Sequence, residues 1–448
     1  MGVAEILGVK MGRIYVAAIC LLLAACQPVP PNPTASPLPG ASQNPSPSQP
    51  SATQSPSLQP SASALPTPTA FPSPTPVSTV TEEPFPIRTL PPEARPTPLP
   101  DSPLLSSALT VLAGSDSAGF KDGKGEEARF QGPQGLDVDL QGNLYVADTE
   151  NHAIRKISPQ GEVTTLAGTG QTGDADGITK QAQFRFPQRL TLDNAGNIFV
   201  IENIALEKDS ATGQLIYMNV PVLQRIRKMN LSEQKVTQLT LSNPDVLKKR
   251  LLDISWHITE KKLYVSGANT VLQIQDESKV SPITQDKTFD STNVGYYGSI
   301  RSPHWRDPDL NNIIIDINNS LFLADSSNQI LWKMSGDGKP GFLAGGRRYA
   351  DESYFPDGCD DYAKFFYIDS LTQDSQGFSY VGSNWIRKVT PDGCVSTLRM
   401  DKKDPIYGLY EPFAFKKISD IVWASPNILY ILSENKVYKL DLNARAPS

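Results

Sequence analysis

Residues 109–168 read LTVLAGSDSAGFKDGKGEEARFQGPQGLDVDLQGNLYVADTENHAIRKISPQGEVTTLAG. Four short apolar runs, Leu136–Asp139, Leu144–Ala147, Ala153–Ile157 and Val163–Leu166, alternate in polarity or are rich in β-branched residues. The breaks between them are Gln141-Gly142-Asn143, Glu150-Asn151 and Pro159-Gln160-Gly161, which carry the residue types of tight turns. Such a pattern predicts a four-stranded antiparallel meander. The flanks LTVLAG (109–114) and TTLAG (164–168) match each other, so one structural period is already visible.

Working outward, the second-strand signature recurs at Leu144-Tyr-Val-Ala, Ile198-Phe-Val-Ile, Leu263-Tyr-Val-Ser, Leu321-Phe-Leu-Ala, Ser379-Tyr-Val-Gly and Leu429-Tyr-Ile-Leu. A third-strand signature follows each: Ile154-Arg-Lys-Ile157, Ile226-Arg-Lys-Met229, Val271-Leu-Gln-Ile274, Leu331-Trp-Lys-Met334, Ile386-Arg-Lys-Val389 and Val437-Tyr-Lys-Leu440. Six repeats of one meander cannot bury their faces singly, so they are expected to close into an all-β, six-bladed β-propeller. The sixth repeat ends after three strands. Leu109–Ala113, which precedes the first blade, is therefore expected to supply its missing outer strand and to remove the open edge.

Ahead of the repeats lies a different kind of chain. Residues 1–26 carry Lys10 and Arg13, then an apolar stretch Ile14–Ala25 too short to span a bilayer, then Leu23-Ala24-Ala25-Cys26. This resembles the bacterial lipobox, which implies lipidation at Cys26, with Met1 or Met11 as the start. An ordinary cleaved signal is the alternative. Residues 27–104 hold most of the 39 prolines, mixed with Ser, Thr, Ala and Gln, and no charge before Glu82. Such a composition cannot offset its ordering entropy, so a disordered tether is expected, reaching roughly 50 Å as a coil and roughly 240 Å extended. Residues 105–448 form the propeller. The formal charge is −6, and loss of Glu5, Lys10 and Arg13 with the leader makes it about −7, which argues against nucleic acid as a partner.

Gly119-Phe-Lys-Asp-Gly123, Ala128-Arg-Phe130, Gly132-Pro133, Gly142-Asn-Leu-Tyr-Val-Ala-Asp148, Asn151-His152 and Ile154-Arg-Lys-Ile157 resemble the NHL repeat in order and type. The second period repeats Gly173-Asp-Ala-Asp-Gly177, Ala182-Gln-Phe184 and Pro187; the third lacks the Asp-Gly connector. Most of these residues read as structural: Asp139, Asp193, Asp316 and Asp374 start the first turn of a blade, and Phe130 and Phe184 plug between blades. Asp148, Glu202 and Asp325 invite a metal reading, but pairing with the third-strand Arg155 or Arg227 is the simpler expectation.

The resemblance also brings enzymes into view, because some six-bladed relatives are zinc-dependent lyases or calcium-dependent lactonases. Only three histidines are present, His152, His257 and His304, and His152 belongs to the repeat pattern, leaving too few for a zinc site of three protein ligands. Asp137, Asp253, Asp316, Asp369 and Asp420 read as first-strand residues facing the channel and keep a calcium ion open, although they do not share one register. No GxSxG elbow occurs. No catalytic residue is assigned and no cofactor is required.

Cys359 and Cys394 are the two cysteines of the folded part. An even pair in an exported chain is expected to form a disulfide, with two free thiols as the alternative if the connector and the turn lie at opposite ends of the blade. Binding residues are sought on the face shared by the inter-blade connectors and the second-to-third-strand hairpins. There Arg189, His304, Trp305, Arg306, Arg347, Arg348 and Tyr349 break the repeat with cations and aromatics, the types that dominate recognition sites. The reading is a monomeric binding or sensing module on a lipid anchor at the extracytoplasmic side of a membrane, the outer one if the cell has two. Its partners would be a protein, peptide or glycan of the envelope. The rival is a lactonase-like hydrolase or lyase with a metal at the channel mouth.

Overall fold

The computed structural model describes residues 102–446 apart from 209–211, 213–214, 218–223, 285–306, 317, 335–337, 347–356, 360–361, 404 and 406–408. The leader with Cys26 and the tether lie outside the described residues.

The alternating runs form strands because each presents one face to the blade before it and one to the blade after it, so both faces are buried and β-branched or aromatic residues fit. Blade one runs Gly135–Val138, Leu144–Asp148, Ala153–Ile157 and Glu162–Ala167, from the channel outward. Blade two is Pro187–Leu192, Asn197–Asn203, Gln224–Asn230 and Lys235–Gln238; blade three is Leu251–His257, Lys262–Gly267, Thr270–Gln275 and Lys279–Pro282. Blade four is Leu310–Ile315, Leu321–Asp325, Ile330–Met334 and Pro340–Gly345; blade five is Ser370–Gln373, Ser379–Gly382, Ile386–Val389 and Cys394–Thr397. The last blade is Ile418–Ala424, Ile428–Ser433 and Lys436–Asp441, with Leu109–Gly114 as its outer strand. The protein is a six-bladed β-propeller.

The ring closes as its two ends demand. Leu109 pairs with Leu440 and Gly114 with Lys436, with a bulge between Val111 and Ala113. Leu104, assigned to the tether by composition, is completely buried, and its N–H donates to the Arg399 carbonyl at 2.8 Å. Packing thus begins slightly earlier than the proline content implies.

Blades one, two and five each gain a two-residue fifth strand that the repeat pattern does not predict: Gly123–Lys124, Gly177–Ile178 and Gly358–Cys359. Each follows an aspartate that reaches a third-strand arginine: Asp122 with Arg155 at 2.7 Å, Asp176 with Arg227 at 2.7 Å and Asp357 with Arg387 at 3.0 Å. Under each guanidinium lies the connector phenylalanine, Phe130, Phe184 and Phe365, with ring centroids 5.1, 5.2 and 5.6 Å away. A buried arginine is tolerable there because it is both paired and stacked. In blade five the added strand is also covalently fixed, since Cys359 lies opposite Cys394 and the two form a disulfide. Connector and turn meet across one strand pair, so the separation that would have left free thiols does not arise.

Among the described residues two hairpins stand outside the blades. Leu206–Lys208 with Leu215–Tyr217 extends blade two, and Arg399–Lys403 with Tyr410–Pro412 joins blade five to blade six.

Candidate functional site

The first strands line the channel as six sheet edges, whose backbone groups need partners from outside their own sheets. Side chains supply them at every seam. The Leu192 N–H donates to Asp137 at 2.9 Å, Trp256 N–H to Thr191 Oγ1 at 3.2 Å and Ile313 N–H to Asp253 at 2.9 Å. Asn311 Nδ2 donates to the Ile368 carbonyl, Trp423 N–H to Thr372 Oγ1 at 2.9 Å and Leu136 N–H to Asp420 at 2.8 Å. Asp137, Asp253 and Asp420 therefore latch one blade to the next, whereas Asp369, expected on a first strand, lies in the connector just before Ser370–Gln373. Asp316 does not belong among them: it accepts from the Asn318 and Ser320 N–H groups in the turn after the first strand. The Asp-x-x-x-Ser spacing of that turn, not the alternation, determines its place.

Arg189 crosses the channel beneath its mouth. Its guanidinium donates to the Gln134 carbonyl of blade one and to the Ser419 carbonyl of blade six at 3.0 Å. It lies 3.8 Å from Asp253 and 3.7 Å from Asp420, and its side chain is only 14% exposed. Arg189 is thus a strut tying blades one, two, three and six, rather than the open cation its sequence context suggests. Even with this partner, burial pushes the carboxyls of Asp253 and Asp420 upward, Asp420 to about 7, and Asp253 adds to the rise at Asp420 by like-charge repulsion. Burial likewise raises Asp137 to about 6, against the hydrogen bonds from Val138, Leu192 and Thr191.

Above this strut opens a cavity of about 660 Å³. Gln134, Gln188 and Asp369 occupy equivalent places, four residues after Phe130, Phe184 and Phe365 in their connectors. Asn203 and Gln224 from blade two, Arg250 before blade three, Asn311 from blade four, and Lys417, Glu434 and Asn435 from blade six complete the wall. Side-chain amides predominate, with cations and carboxylates facing one another across the bowl. Several amides are already used to hold the wall: Gln224 exchanges hydrogen bonds with the backbone of Leu251, and Asn435 Oδ1 accepts from the Gly132 N–H at 3.1 Å.

Of the remaining candidates, His304, Trp305, Arg306, Arg347, Arg348 and Tyr349 lie outside the described residues. His152 caps the blade-one hairpin, where Nδ1 accepts from the Phe186 N–H at 3.3 Å. His257 closes the first strand of blade three and accepts from the Glu260 N–H at 3.2 Å. Asp148 accepts from Arg155 at 2.7 Å and Glu202 from Arg225 and Arg227, so both are structural pairs; burial still raises both carboxyls, Asp148 to about 6. Asp325 bonds Asn328 at 2.8 Å and faces Trp332 Nε1, because blade four has Trp332 where blades one and two carry the arginine. Among the described residues no group of three or more His, Cys, Asp or Glu side chains is arranged to hold a metal ion. The amide wall was missed from sequence; the recurring Phe-x-x-x-Gln spacing at 130–134 and 184–188 is the signal that marks it.

Residues 130–157 match the NHL repeat family. The chain is 27% identical over 206 residues to "Protein SUPPRESSOR OF QUENCHING 1, chloroplastic" from Arabidopsis thaliana, covering 40% of this chain and 19% of that protein. It is 46% identical over 80 residues to "NHL repeat-containing protein 2" from Gallus gallus, covering 17% and 11%. The chain therefore spans less than a fifth of the length of either relative. Among solved structures, a protein of unknown function from Bacteroides thetaiotaomicron superposes with a TM-score of 0.52 at 15% identity, covering 74% of each chain. One segment of the chain thus matches the NHL repeat, and the ring of sheets that contains it is a β-propeller of six blades.

Proposed function

We propose that the propeller is a binding or sensing module of the cell envelope, displayed on a lipid anchor at Cys26 and engaging a protein, peptide or glycan at the channel mouth. The observation that carries this reading is the bowl above Arg189. It is concave, rich in side-chain amides, and its wall is fixed by inter-blade latches, so a ligand meets groups that are already ordered.

Two measurements test it. Cys26→Ser should release the mature chain from membranes after a high-salt wash; continued membrane fractionation refutes the anchor. Gln188→Ala with Lys417→Ala should abolish saturable binding to envelope fractions, whereas Leu140→Ser, on an exposed turn of blade one, should not. Equal binding by all three proteins refutes the mouth as the site.

The raised carboxyls of Asp137 and Asp420 favour a second reading, a lactonase-like hydrolase or lyase, since strongly shifted groups also occur in active sites. Metal analysis separates the two. A stoichiometric Ca²⁺ or Zn²⁺ retained through dialysis, with lactone hydrolysis lost on chelation, would replace the binding reading.

A further inference from the structure

The bowl is not chemically uniform, and its blade-five side is the part left incomplete. Asn311 is held by its Nδ2 on the Ile368 carbonyl, which fixes the direction of its Oδ1; that oxygen is buried without a hydrogen-bond partner. With almost no surface open to solvent, that oxygen belongs to the wall, and the acceptor this side offers a ligand is Asp369. Asp369 lies beside the same wall and faces Lys417 and Arg189 electrostatically. The connector leading into Asp369 carries Phe366 and Tyr367, which are 41% and 51% exposed. Their rings meet edge to face with centroids 4.5 Å apart. Tyr367 precedes Asp369 by two residues, at most about 7 Å of chain. At the matching places blade one has Gln131 and Gly132, so the exposed pair is a local addition and not part of the repeat.

We infer that this side of the mouth is a saccharide subsite, in which a sugar ring rests its C–H face on Tyr367 and Phe366 and donates neighbouring hydroxyls to the Asp369 carboxylate. The inference rests on the reading of the mouth as a binding site and selects one ligand class within it. A polyol supplies several O–H donors close together, which the two oxygens of a carboxylate accept side by side. It also accepts hydrogen bonds, which Lys417 and Arg250 in the lining can give. A polyol brings an apolar ring face for the aromatics without requiring an apolar floor, and the floor here is charged and amide-lined. Cations and carboxylates are mixed around the rim, which favours a neutral ring over a polyanion. A cavity of about 660 Å³ lies within the range of roughly 300–1,000 Å³ usual for small-ligand sites and admits a short oligosaccharide.

The test uses the full-length mature chain and saturation-transfer NMR with soluble oligomers of glucose, mannose, galactose and N-acetylglucosamine. A parallel arm uses a library of soluble envelope-derived peptides. The expected result is saturable transfer from at least one oligosaccharide series, with affinity falling tenfold or more in Tyr367→Ala and in Asp369→Asn. Melting temperatures should be unchanged in Tyr367→Ala, because the ring is exposed. Gln141→Ala, on the turn of blade one, should bind as the parent does. Oligosaccharide binding that survives both mouth variants overturns the subsite. Peptide binding lost in those variants, with no oligosaccharide binding, overturns the saccharide class but leaves the mouth as a binding site. No binding in either arm, with envelope fractions also failing, overturns the broader reading as well.

Discussion

Closure of the ring leaves no room for a side chain at one glycine of the seam. Gly114 ends the strand that completes blade six and has φ +88°. A Cβ added there would stand 2.2 Å from the Asn435 carbonyl oxygen, 3.0 Å from Phe130 Cδ2 and 3.1 Å from Lys436 Cα. Two of those three atoms are backbone, one at the start of the strand it must pair with and one in the turn just before, so the neighbour cannot simply rotate away. Gly196 has nearly the same torsion, φ +92°, but nothing lies within 4 Å of its added Cβ. Alanine at either position bears the conformational penalty of about 1–2 kcal/mol. Only Gly114→Ala adds a steric term, about 1–3 kcal/mol for forcing a group into a filled site. The difference between the variants should therefore be about 2 kcal/mol. For a domain of this size it amounts to about 3 °C in melting temperature, read by calorimetry on the two proteins side by side. If both variants melt within a degree of each other, the seam does not make the close contact described, and the argument for how the ring locks fails.

Removing residues 1–102 should leave stability nearly unchanged, whereas removal through Gly114 exposes Val437 and Leu440 and should cause a large fall in melting temperature or aggregation; equal melting refutes strand exchange at the seam. Arg189→Met leaves Asp253 and Asp420 without their cation, so it should destabilise by several kcal/mol at pH 8 and markedly less at pH 5, where both can be protonated; a pH-independent loss in urea unfolding would contradict this. Asp420 itself holds its proton up to about pH 7, above the ordinary carboxylate value, so the folded state binds more protons than the unfolded chain between about pH 4 and 7. Its contribution is complete at the acid end of that window and is lost as pH rises through 7. Asp420→Asn should flatten this part of the stability profile, by an amount on the order of a few kcal/mol, while costing about 1–3 kcal/mol at all pH values, because one of the Leu136 and Ile421 N–H groups loses its acceptor. Replacing Cys359 and Cys394 together by Ser should lower stability by roughly 3–4 kcal/mol from the 35-residue separation alone, and unchanged denaturant midpoints would show that the fifth strand of blade five is held without it.

Local sequence by itself determined the number of blades, the order of the four repeat strands within each and the partner of the seam strand. These follow from period-two alternation, turn residues at fixed offsets and a count of strands that left one blade a strand short, all properties of neighbouring residues. The third-strand arginines and second-strand acids were also readable as pairs, since Asp148 and Arg155 face each other across one hairpin. What lay beyond reach depends on residues brought together around the ring. Arg189 meets Asp253 and Asp420 only because strands of blades two, three and six converge on one axis; no pattern in the linear chain encodes that distance. For the same reason an arginine that reads as an open contact is committed to the scaffold, whereas of the two readings of Asp316 the local one, as the start of a turn, is the one the structure shows. The Asp357-Gly358 strand was legible in principle, as the same dipeptide recurs at 122–123 and 176–177, but its role is set by where Arg387 and Cys394 stand in the folded blade. Repetition fixes what each blade is; only convergence of the blades on a common axis decides which side chains face the cavity and which hold it open.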